Sequence, residues 1–167
     1  MHELREFRNI FDRELSLFDG VILVHYDYFE IYPTKSYDKF MMYDAWKVMQ
    51  EEAIRHNKRV FAIGMSEKKN RLVLEHDFHF ISPRKTIEER VKEITESIHK
   101  SGRDISLLFG GVLSTDCVYL HLTGMCSCCD SADIYPLDDE IYFDFASKTK
   151  IGYGKLEPLL TERVGFY

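Results

Sequence analysis

The 167 residues carry 28 acidic and 22 basic side chains, a formal charge of −6, with 45% apolar and 30% charged residues. This length and balance fit one globular domain whose core needs no disulfides, and they exclude a collagen-like, low-complexity or disordered chain. Residues 1–85 hold 14 acidic against 14 basic groups and residues 86–167 hold 14 against 8, so the whole charge lies in the second half, which excludes a nucleic-acid footprint there.

The amino-terminal residues are charged from Glu3 and contain no apolar signal segment, and no run reaches membrane-spanning length. The expectation is a cytoplasmic protein with reduced thiols and no membrane partner. Leu4, Phe7, Ile10, Phe11 and Leu15 recur at helical spacing, which predicts a helix over 2–17. Val21–Tyr32, rich in β-branched and aromatic residues and stopped by Pro33, predicts a strand, with room for a bulge or turn near His25–Asp27. A second helix opens at Ser36 or Tyr37, buries Met42, Ala45, Trp46, Met49 and Ala53, and closes at Asn57-Lys58.

Arg59–Met65 and Arg71–Ile81 flank Ser66–Asn70 and read as a hairpin. In its second strand Glu75, Asp77 and His79 share a face, a set able to ligate a metal or serve acid–base chemistry, although a solvated strand face is commoner. Ser82–Lys85 is a punctuated connector. Thr86 with Glu89 forms a capping box for a helix striped by Ile87, Val91, Ile94 and Ile98. Asp104–Phe109 predicts a strand, Gly110–Asp116 a turn, and Cys117–Thr123 the partner strand. Residues 130–144 contain six acidic and no basic groups; within them Leu137–Phe145 fits helix and strand periodicity equally. Together these elements predict an α+β fold: a single domain over 1–167, with a mostly antiparallel mixed sheet flanked by about three helices. An internal boundary, if present, falls at 82–86.

All four cysteines, Cys117, Cys126, Cys128 and Cys129, fall within one stretch. Cys126 and Cys129 have the C-x-x-C spacing that brings two thiolates to one metal, and Gly124 permits a sharp fold just before them. Zinc takes four ligands, so Cys117 and His121, Cys128, or a second subunit would have to complete the set.

Helix Ile87–Lys100, turn Gly102-Arg103-Asp104, strand Val118–Leu122 and then Gly124-Met-Cys126-Ser-Cys-Cys129-Asp-Ser131 follow one another over residues 86–145. This segment resembles the C-terminal domain of NifU-like iron–sulfur scaffold proteins, departing from it at Arg103, Cys128 and Asp130. The resemblance implies that Cys126 and Cys129 bind a [4Fe–4S] cluster across a homodimer and pass it to an acceptor protein, an activity that is not enzymatic. The alternative is a small acidic protein-binding inhibitor of a basic partner, of the toxin-immunity or phage counter-defence type, with no metal and with buried cysteines. An enzyme with a cysteine nucleophile and His121 as base is the third class, and the sequence nominates no group to orient that base.

Overall fold

A computed structural model describes residues 2–16, 18–32, 36–70, 73–74, 76–98, 105–111, 117, 119–127, 131–135, 144–145, 149–150 and 161–165. The elements run α1 (His2–Leu15), β1 (Gly20–Val24), α2 (Tyr28–Ile31), α3 (Ser36–Arg55), β2 (Arg59–Ile63), β3 (His79–Ile81) and α4 (Ile87–Ile98). They continue with β4 (Ile105–Gly111), α5 (Tyr119–Ser127), β5 (Ser131–Tyr135), β6 (Asp144–Phe145), β7 (Thr149–Lys150) and β8 (Thr161–Gly165).

The main sheet has the order β3-β2-β1-β4-β8-β5. Its first four strands are all parallel, with Val21 facing Val60 on one side and Leu108 on the other, and Ala62 facing Phe80. Only β8 runs against its neighbours, pairing antiparallel with both β4 and β5. β6 and β7 form a separate antiparallel pair. The expected α+β fold with a mostly antiparallel sheet is therefore corrected to a parallel α/β arrangement with about five helices.

The reason lies in the strands themselves. Gly20–Val24 is buried along its whole length, and β2 is buried from Val60 onward. A strand covered on both faces reads as a continuous apolar run, the mark of a parallel sheet packed between helices. The connections from β1 through α3 to β2 and from β3 through α4 to β4 run in opposite directions along the sheet, and connections between parallel strands are right-handed as a rule. That handedness puts α3 and α4 on opposite faces. Accordingly α1 packs on α3, and α5 packs on α4. One layer contributes Phe11, Leu15, Ala45, Trp46, Met49 and Ala53 to the core; the other contributes Val91, Ile94 and Met125.

Local signals explain the boundaries. Thr86 and Glu89 bond each other's backbone N–H at 2.8 and 3.2 Å, the expected capping box at the start of α4. Asn57 at φ 54° ends α3, with Asn57 N–H bonding Ile54 O and Lys58 N–H bonding Ala53 O, a Schellman stop. Side chains of α1 and α3 are clasped by ions. Arg8 reaches Glu51 at 2.5 Å and Glu52 at 2.8 Å, and Arg55 reaches Asp12 at 2.7 Å and Glu52 as well.

Three expected elements change. The strand over 21–32 stops at Val24; a turn at His25–Asp27 and the short α2 follow. The hairpin expected over 59–81 is overturned, because β2 and β3 pair in parallel. The strand over 117–123 is replaced by helix α5. Its alternating Val118, Leu120 and Leu122 suggested a pleat, but Leu120 is 59% exposed. Cys117, His121 and Met125 follow at i, i+4 and i+8, and Met125 is fully buried. That spacing matches one helix face. Residues 112–116 and 136–143, which include the expected turn and most of Leu137–Phe145, lie outside the described residues.

Candidate functional site

Parallel strands deliver their carboxyl ends, and the loops after them, to one end of the sheet. The chain crosses from one flank to the other between β1 and β4, so the connections that follow these two neighbours diverge and leave a crevice. In the register, Leu23 and Val24 face Gly110 and Gly111, so β4 brings no side chain to the end of this strand pair.

β1 ends in His25-Tyr-Asp27. His25 adopts φ 54°, a left-handed conformation that costs a non-glycine residue roughly 1–3 kcal/mol and that clusters at functional sites. Its N–H bonds Ile63 O at 2.8 Å, and its carbonyl accepts Tyr28 N–H at 3.0 Å. Asp27 is only 1% exposed. Its two oxygens accept the backbone N–H groups of Met65 at 2.8 Å and Ser66 at 3.0 Å, tying the turn after β1 to the loop after β2. Buried Tyr26 accepts Asn70 N–H at 2.7 Å and packs edge-on against Phe78. The turn is thus held in place from several directions. An open cleft of about 430 Å³ lies at the same end of the sheet, lined by Asp27, Glu30, Ser66, Lys68, Lys69 and Asn70 among others.

From the β4 side, α5 brings His121 to His25. The two rings meet edge to face, with centroids 5.0 Å apart. His121 Nδ1 lies 2.7 Å from the carbonyl oxygen of Cys117, one turn earlier. A carbonyl only accepts, so Nδ1 carries the hydrogen and the neutral ring keeps its lone pair on Nε2. Burial pushes the His121 pKa down; the bond to Cys117 opposes this, and the positive charge of Arg90 adds to the lowering. His121 is therefore a neutral base at pH 7, held in one tautomer.

Arg90 enters from the first turns of α4. It is 8% exposed, and one terminal nitrogen donates to Pro83 O at 2.9 Å. Its Nε is buried without a hydrogen-bond partner. Burial lowers its pKa, yet a guanidinium stays charged in a protein. α4 and α5 touch here: a Cβ built on Gly124 would stand 3.7 Å from Ile87.

The residues singled out in the sequence are distributed differently. Cys117 is half-buried against the core and supplies a carbonyl to His121. The backbone of Cys126 lies in α5, but its side chain, with Cys128 and Cys129, is outside the described residues. The strand expected to lead into the C-x-x-C is a helix. Glu75 is also outside the described residues, Asp77 is exposed, and His79 turns to α4, its Nε2 2.6 Å from Glu93 Oε1. Elsewhere, the ligand atoms of Asp12, Glu52 and His56 lie within 4.8 Å of one another. Arg8 and Arg55 already bind the oxygens of Glu52, and Arg55 and His56 bind Asp12, so this cluster is a clasp whose cations are arginines.

Sequence reasoning passed over His25, Asp27 and Arg90. The available signal was a polar His-Tyr-Asp triplet directly after a fully apolar strand. No family model, curated protein or solved structure matches this chain.

Proposed function

We propose that this chain binds a small molecule in the crevice at the carboxyl ends of β1 and β4, and that His121 takes a proton from it. The observation that carries the reading is the His25–His121 ring contact at 5.0 Å, between the turn after β1 and the helix after β4. Supporting it are the left-handed backbone of His25, the anchored Asp27 and the fixed tautomer of His121. Open α/β sheets bind ligands at this kind of position, and proton transfer needs a neutral base with one defined lone pair. The fold contributes only the location; the chemistry is argued from the two histidines.

The test is a screen of small soluble fragments, read on the ring resonances of His25 and His121 in the labelled full chain. Compounds that bind should shift both rings, and His121→Gln should weaken them. If binders instead perturb only the cleft beside Lys58, Arg59 and Asp77 at the opposite end of β2, the reading fails. The thiolate-metal carrier and the protein-binding inhibitor draw no support from a described residue. Anaerobic reconstitution with iron and sulfide tests the carrier directly: a thiolate–iron absorption band lost in Cys126→Ser/Cys129→Ser would establish it over the present reading.

A further inference from the structure

Arg90 is hard to explain as a structural residue. Buried arginines are retained with an acidic partner, because an unpaired charge away from water is costly. Among the described residues no carboxylate pairs with Arg90, and its Nε–H is buried with nothing to receive it. Its position sharpens the problem. Arg90 N–H bonds Thr86 O, which places the residue at the fourth position of α4, where the helix dipole is already positive. α5 also begins at this end of the sheet, directly after β4, and packs on α4. Both helices start after parallel strands and so at the same end of the sheet, where the charge of Arg90 is felt at His121. Of the two carboxylates in the first turn of α4, Glu89 is spent on the cap and Glu88 is exposed to water.

Accepting the crevice between β1 and β4 as the ligand site, we infer that Arg90 is the residue that holds an oxyanion group of that ligand, a phosphate or a carboxylate. A planar guanidinium offers paired donors to either group, and helix amino termini favour negative charge. An anion placed there would satisfy the buried Nε–H. It would also offset the repulsion between Arg90 and a protonated His121, so the ligand's own charge would help His121 hold the proton it takes.

The experiment uses the ¹⁵N-labelled full chain. The Nε–H resonance of Arg90, assigned by its loss in Arg90→Lys, is followed while inorganic phosphate or acetate is added, with sodium chloride as the control at equal ionic strength. We expect a saturable shift with phosphate or acetate, none with chloride, and an apparent affinity at least about tenfold weaker in Arg90→Lys, read on the His121 ring. The anion giving the tighter saturation identifies the group. If neither anion shifts Arg90 while neutral fragments still move the rings of His25 and His121, the crevice stands and the anion assignment is overturned. If neither anions nor fragments move any of the three, both fall. Should Arg90→Lys fail to fold, Arg90→Gln supplies the assignment by the same loss, and the wild-type titration against chloride decides.

Discussion

Gly64 shows how tightly the loops at the carboxyl end of the sheet are set. A Cβ at this position would stand 2.7 Å from the Ser66 carbonyl oxygen and 2.7 Å from a ring carbon of Phe80. The first contact is backbone, and Ser66 is itself fixed by the carboxylate of Asp27, so nothing can move aside cheaply. Gly64→Ala should cost about 1–3 kcal/mol in urea unfolding, the range for overpacking a rigid site. An unchanged midpoint would show that the 64–70 loop is looser than this geometry. The same paragraph of sequence that hides this requirement also hides the site. Glycine, histidine and aspartate after apolar runs are ordinary in loops, and only the pairing of distant loops shows that these ones meet.

Helices and strands were legible where one periodicity stood alone. α1, α3 and α4 carry apolar stripes with caps, and the expected bounds agree closely with those observed. Where a short apolar run satisfied two periods, the pleat was preferred and the helix won, as at α5. Gly124→Ala separates these cases. In a helix with only ordinary van der Waals neighbours near 3.7 Å, alanine should stabilise by roughly 0.5–1 kcal/mol. In a turn that needs glycine it would destabilise, so the sign of the change in melting temperature is the readout. The α1–α3 clasp gives a second test at this scale. Glu52 is almost fully buried between two exposed arginines, and Glu52→Gln should cost about 1–3 kcal/mol, the worth of charge-assisted bonds, because the arginines can turn to water. Added salt should leave most of that loss in place, since Glu52 itself is shielded from the solvent.

Across the whole molecule, what the sequence concealed was strand direction. Antiparallel and parallel neighbours share the same residue preferences, and direction is set by where the connecting helices pack. The all-buried β1 and the mostly buried β2 were the available clue. Two groups on neighbouring helices of one layer, His121 on α5 and Glu93 on α4, respond to acid in the same sense. His121 is held below its ordinary pKa of about 6.5 by burial, so the folded state resists a proton that the unfolded chain accepts. Its contribution is complete above that value and is lost as pH falls through it toward the folded pKa. Burial pushes Glu93 up, but hydrogen bonds from Lys85 and His79 outweigh this and hold it below its ordinary range. That contribution persists to lower pH and disappears as pH falls through the depressed value. Urea midpoints measured from pH 7.5 down to 5.5 should therefore decline in the wild type and decline less steeply in His121→Gln. Equal slopes would count against a buried neutral His121.

β8 lies between β4 and β5, although it is the last of the three to leave the ribosome. Until residues 161–165 emerge, β5 has no strand to join and the flank of β4 stays open. The parallel half of the sheet can assemble early, while its completion waits on β8. A nascent chain paused in this interval presents an unpaired strand edge to its neighbours on the same message, so the rate at which the stretch from β5 to β8 is synthesised governs the time available for chains to mispair.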